Sequence, residues 1–202
     1  MTEAAGDLVD VIAIKSAIQQ VEGARRSVHM ATIMMLLHRT LARIELNLPP
    51  SFQGSFIPAA SPFEAIASVS KVLKSADTEF MIVDPYMDAN TLTEYCVLAE
   101  EGVSIRLLAD KEYVRPGFKP TAHSWRAQYG SSRPLLARIT PRRMLHDRDI
   151  IVDRKIVFSL SQSLNAFAAR AHASISKYDP EITALKVSAY EAAWEQAEQL
   201  DQ

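Results

Sequence analysis

The stretch RDIIVDRKIVFSLS, residues 148–161, constrains the fold more than any other part of this chain. It reads as two short apolar strands, RDIIVD and KIVFSLS, meeting in a tight turn at Asp153 and Arg154. Strands joined that closely must run antiparallel. Upstream the pattern is different. EFMIVDPY (79–86) predicts a buried strand, and Asp88 opens a helix that runs to about Glu101 and stops at Gly102. VSIRLLAD (103–110) is a second strand, PTAHSWRAQYG (120–130) a helix, and PLLARIT (134–140) a third strand. After the hairpin, HASISKY (172–178) is a short sixth strand. A terminal helix follows, with Asp179 as its cap and Pro180 in its first turn. Strands alternating with helices and then a hairpin predict an α/β domain, a mixed sheet flanked by helices.

The first 50 residues are of another kind. Residues 7–47 contain no proline. Leu8, Val11, Ile12 and Ile18 mark one apolar face, and Met30, Ile33, Met34, Leu37, Leu41, Ile44 and Leu48 recur at helical spacing. The segment LPPSFQGSFIPAASP (48–62) is a loop rich in proline and serine. It separates a helical N-terminal extension, 1–50, from the α/β domain, 62–202. Ser61-Pro62-Phe63-Glu64 starts that domain's first helix, with Ser61 as cap and Glu64 three residues on.

Composition excludes several classes. A net charge of −2 over 202 residues is no global signature for nucleic acid. The single cysteine, Cys96, allows no intrachain disulfide and is expected in the core. The acidic start MTEAAGDLVD is no secretory signal, and the most apolar run, 30–37, is too short to span a bilayer. The expectation is a cytoplasmic protein that does not bind membranes. No Cys/His set has metal-ligand spacing and no glycine-rich phosphate loop is present, so neither a metal nor a cofactor is expected.

The approach to the hairpin, MLHDRD, is crowded with charge. In an extended segment His146 and Arg148 share one face. An imidazole beside a guanidinium is a poor structural pair, since two cations repel. It is a good phosphate site: arginine grips the anion through parallel hydrogen bonds while histidine attacks or protonates.

Here the chain resembles the phospholipase D superfamily, whose signature is H-x-K-x4-D followed by G-S-x-N. This sequence reads His146-Asp147-Arg148, four residues, then Asp153, and downstream SLSQSLN. FMIVDPYMDANTLTEY is similar to the family's early strand and loop, and ASISKYDPEITALKVSAYEAAWEQA to its closing strand and helix, so residues 62–197 fit and the first 60 do not. The resemblance implies metal-free phosphodiester transfer through a phosphohistidine. His146 becomes nucleophile or acid, Arg148 replaces the lysine, and Asp153 is the aspartate that orients a histidine. The family's usual gap puts Leu160 at the glycine, Ser161 at the serine and Ser163 at the asparagine. A shift of two residues instead gives Ser163-x-Asn165, so Ser161, Ser163 and Asn165 all stand as phosphate-binding candidates. His29, His38, His123 and His172 are not followed two residues later by Lys or Arg. One motif supplies half a site, so activity implies a homodimer.

Three further expectations concern surroundings. Asp84 and Tyr86 either end a strand or lie on the site's rim. Arg138, Arg142 and Arg143, in a locally basic stretch, are expected to touch nucleic acid. His123 and Trp125 belong to a helix surface and its packing. The leading expectation is a nuclease-like phosphodiesterase. Its rival is a silent nucleic-acid-binding or regulatory module that uses the same pocket; a third reading is a structural or regulatory subunit of a larger assembly, docked through the N-terminal helices.

Overall fold

The computed structural model describes residues 15–18, 28–37 and 54–200. The chain divides into two compact units, Met1–Gln53 and Gly54–Gln202. In the first, 15–18 and 28–37 are helical, as their spacing predicts. The readings at Leu8, Val11, Ile12, Leu41, Ile44 and Leu48 lie outside the described residues. No helix among the described residues is long and apolar enough to cross a membrane.

The second unit is built on one mixed sheet of eight strands. In chain order its elements are β1 (Ser55–Ile57), α1 (Pro62–Leu73), β2 (Glu79–Val83), β3 (Ser104–Asp110), α2 (Phe118–Tyr129), β4 (Leu135–Thr140), β5 (Asp149–Val152), β6 (Ile156–Leu160), β7 (Ala173–Lys177), α3 (Pro180–Gln196) and β8 (Glu198–Gln199). The sheet order is β1-β7-β6-β5-β2-β3-β4-β8. β2, β3 and β4 are parallel, and the other pairings are antiparallel.

Helices cover both faces of the sheet, which is why the central strands are apolar almost without interruption. Phe80, Ile82, Ile105, Leu107, Ile150 and Val152 belong to a core that takes in residues of α1 and α2. Met81, Val83, Leu108, Ile151 and Val157 meet Tyr190, Ala193 and Trp194 of α3 on the other side. The Arg106 guanidinium anchors α3 with a bidentate grip on Glu191, at 2.6 and 2.9 Å, and stacks 4.2 Å from the Trp194 ring. At its start, the Asp179 carboxylate accepts the Ile182 N–H, as expected of a cap.

Three expectations need correction. The helix expected from Asp88 is irregular, a π turn at Thr91–Tyr95 running into a 3₁₀ turn at Cys96–Leu98. The wider turn lets Thr91, Leu92, Tyr95 and Cys96 all reach the core. Ser61 makes no side-chain cap at α1. β1 lies inside the stretch read as a loop. Cys96 is fully buried, and burial pushes its thiol pKa up.

Candidate active site

One parallel strand ends in aspartate and another is followed by one, and both carboxylates point into backbone amides. Asp110, at the end of β3, accepts the N–H groups of Glu112, Arg143, Met144 and Leu145 at 2.8 to 3.0 Å. Burial opposes its charge, yet the four amides hold its pKa below the usual carboxylate range. The anchored segment leads directly to His146, and its sharp turn places Arg143 at φ 61°. Asp84, one residue past β2, is fully buried and accepts from Tyr86 N (3.0 Å), Ser163 Oγ (2.7 Å) and Leu164 N (2.8 Å). Burial raises its pKa in spite of these bonds and the nearby Arg148 charge.

Alternation then sorts the charged approach onto two faces. Leu145 and Ile151 pack against α3. Between them, Asp147 and Asp149 each accept from Lys186 Nζ at 2.8 Å and from the Tyr190 hydroxyl at 3.0 and 2.9 Å. Burial would lower the Lys186 pKa, but the two carboxylates keep it raised. The Lys186 bond holds the Asp147 pKa down, whereas burial pushes that of Asp149 up. Arg148, Ile150 and Val152 form the opposite series, which His146 continues.

His146 is exposed and makes no hydrogen bond among the described residues. The Arg148 guanidinium lies 5.4 Å from the centre of the Tyr86 ring, and its buried Nε has no hydrogen-bond partner. Ser163 and Asn165 arrive from the loop after β6. Asn165 Nδ2 donates to the Tyr86 carbonyl at 3.3 Å, while Ser163 donates to Asp84. Asp84, Tyr86, Arg148, Ser163 and Asn165 are therefore brought together. Asp84 is a buried tie between two loops rather than a rim residue.

Ser161 stands apart. Its Oγ accepts the Ser174 N–H at 2.8 Å, so it secures β7 to the end of β6. Of the two registers read in SLSQSLN, Ser163-x-Asn165 is the one that meets Asp84 and Tyr86. Asp153 has a different task from the expected one. It lies in the turn after β5, about 20 Å of extended chain beyond His146. Its carboxylate accepts the N–H groups of Asp77, Thr78 and Glu79 and the Thr78 hydroxyl, at 2.8 to 3.0 Å. Partial burial opposes the charge, but these donors bring its pKa down to about 2.

The expected basic face is also largely occupied. Arg138 donates to the Trp194 carbonyl at 2.7 Å and lies 4.9 Å from the Trp194 ring. Arg142 and Arg143 are exposed, but both pair with Glu112 at 3.4 Å. His123 is exposed and Trp125 buried, as expected. Among the described residues, no group of three or more acidic, histidine or cysteine side chains is placed to hold a metal ion.

No family model and no curated protein matches the sequence. Solved structures do resemble the second unit. One is a phospholipase D family member, Nuc from Salmonella typhimurium, with a TM-score of 0.53 and 18% identity over 73% of this chain and 95% of that one. Another is NucT from Helicobacter pylori, with a TM-score of 0.51 and 15% identity over 73% of this chain and 98% of that one. The chain has the phospholipase D fold. Within it, sequence reasoning missed Asp110, Lys186 and Tyr190. Asp110 had a signal, since LLAD ends a strand in aspartate just as MIVD does. Lys186 and Tyr190 had none, because their role exists only once α3 lies behind the hairpin.

Proposed function

We propose that this chain is a phosphodiesterase of the phospholipase D type, nuclease-like and acting as a homodimer. The observation that carries the reading is the free pair on one face of the strand approach. His146 is exposed and unbonded, and beside it a half-buried Arg148 has an unpartnered Nε. A buried guanidinium nitrogen without an acceptor is costly, and a phosphate oxygen would satisfy it. In the proposed reaction an imidazole nitrogen of His146 attacks phosphorus, and the phosphorus–oxygen ester bond breaks. The second copy's His146 gives its proton to the leaving oxygen. Water then attacks the phosphohistidine and returns a proton to that second histidine, releasing the phosphomonoester and the first imidazole. Arg148 and Asn165 hold the non-bridging oxygens.

The non-catalytic reading rests on a specific feature. Among the described residues no carboxylate orients the His146 ring, and arginine is a poor substitute for lysine in a tight site. Hydrolysis of a chromogenic phosphodiester in EDTA separates the two. Wild type is expected to turn over, His146→Ala to lose turnover while keeping its circular dichroism spectrum, and Arg148→Lys to retain more activity than Arg148→Ala. Arg148→Ala is expected to cost about 2–4 kcal/mol of transition-state stabilisation. Turnover unchanged in His146→Ala defeats the proposal. Phosphate or oligonucleotide binding by a wild type that cleaves nothing establishes the binding module.

A further inference from the structure

The ten arginines of residues 54–200 divide sharply by what they touch. Arg106, Arg133, Arg138, Arg142, Arg143 and Arg154 are ion-paired, and Arg126 donates to the Leu135 carbonyl. Among the described residues, Arg115, Arg148 and Arg170 alone of these ten have neither an ion pair nor a side-chain hydrogen bond. They come from three separate parts of the chain, yet they converge. Arg115 and Arg170 line one groove of about 560 Å³ together with Ser163 and Asn165. Those two residues are the ones that tie to Asp84 and Tyr86 beside Arg148.

The groove's wall is small and stiff. Ala166, Ala169 and Ala171 line it, so no bulky side chain fills it. Gln162 braces the loop, accepting from Ala168 N and donating to the Ala171 and His172 carbonyls. Asn165, which lines the groove, donates to the Tyr86 carbonyl, and the Tyr86 ring meets that of Tyr113 at a tilt of 38° with centroids 5.0 Å apart; both are partly exposed. Unpaired arginines, an open channel and partly exposed aromatic rings are the parts of a sequence-tolerant single-strand site. A volume of about 560 Å³ is in the range that takes one small ligand and is enough for a nucleotide unit.

We propose that this groove is the track for a single-stranded nucleic acid flanking the reacting phosphate. Arg115 and Arg170 grip the next phosphates, and Tyr86 and Tyr113 offer faces to its bases. The inference rests on the phosphodiesterase reading for what occupies the Arg148 end. Its experiment fails separately.

Anisotropy of fluorescein-labelled oligo-dT, measured against salt with the full chain carrying His146→Ala, reads the groove. Arg115→Ala and Arg170→Ala are each expected to weaken binding about tenfold. Together they should reduce the slope of log K against log salt by about 1.4, since each single-strand phosphate contact contributes about 0.7. Lysine at either position should restore much of the affinity. Ala169→Trp, which fills the channel without removing charge, should weaken oligo-dT at least as much. Thermal melts confirm that the variants fold. Unchanged oligo-dT affinity in the double arginine variant or in Ala169→Trp overturns the groove, and so does duplex binding as tight as single strand. If wild type also fails to hydrolyse the chromogenic diester, the phosphodiesterase reading falls; if it hydrolyses normally, the groove inference falls alone.

Discussion

Lys186→Met tests whether the charged approach is held from behind. The substitution keeps the length of the stem and removes the charge between Asp147 and Asp149. A full charge pair at 2.8 Å attracts by about 6 kcal/mol gross at an effective dielectric near 20, and desolvation cancels much of it. Removing one partner of a buried pair costs about 3–5 kcal/mol. Asp147 is 58% exposed, so its share is at most about 1 kcal/mol. Asp149 has a fully buried side chain whose Oδ1 already lacks a partner, so it sets the size of the effect. The expected loss is about 3 kcal/mol at pH 7.5. The sign with pH follows from Asp149. Burial raises its folded pKa, so its ionised form opposes folding increasingly as pH rises through that value. Without Lys186 the pKa rises further, and the deficit should shrink on acidification. Urea unfolding of both proteins at pH 7.5 and pH 5 measures this. A loss under 1 kcal/mol at pH 7.5, or a loss that does not shrink at pH 5, refutes the reasoning.

Two other substitutions separate framework from chemistry. Asp153→Ala should cost about 1–3 kcal/mol, since three backbone amides lose their acceptor, while phosphodiester turnover below the melting temperature changes less than twofold. With a folded pKa of about 2 against 3.8 unfolded, the wild-type advantage is present above pH 4 and disappears as pH falls towards 2, which acid titration of both proteins measures. Asp110→Asn should destabilise by about 2 kcal/mol and also slow turnover, because an amide nitrogen replaces an acceptor shared by two N–H groups on the segment before His146. Turnover at the wild-type rate would detach that segment from catalysis.

The hairpin was legible because two apolar runs and a turn leave few alternatives, and the turn residues Asp153 and Arg154 do adopt left-handed φ of 48° and 55°. The central strands were legible for the same reason: their burial on both faces is written as continuous apolarity. β1 and β8 were not, because strands of three and two residues carry no period and pair only at an edge. Charges misled more than apolar residues did. A count of arginines along 131–155 looks like a basic face, but a count contains nothing about partners, and Trp194, Glu112, Glu101 and Glu79 lie elsewhere in the sequence. Asp153 matched a motif by spacing, and spacing along a strand does not say which end of it the site occupies.

The acidic and basic residues of the approach thus divide by task. Asp110 fastens the segment before β5, Asp84 fastens the loop after β6, and Asp153 fastens the turn between them to the start of β2. The hairpin is held at both ends by carboxylates whose acceptors are filled by amides and hydroxyls. That saturation matters for Arg148. An aspartate with free oxygens beside a guanidinium would pair with it, and an incoming phosphate would have to break that pair. Asp84 is already bonded to three donors, two of them backbone amides, and forms no ion pair with Arg148 within 4 Å. Buried framework acids can therefore sit next to the site without neutralising it. Arg148 keeps an unpartnered nitrogen, His146 makes no hydrogen bond among the described residues, and the same loop that satisfies Asp84 carries Asn165 to Tyr86, over whose ring Arg148 lies.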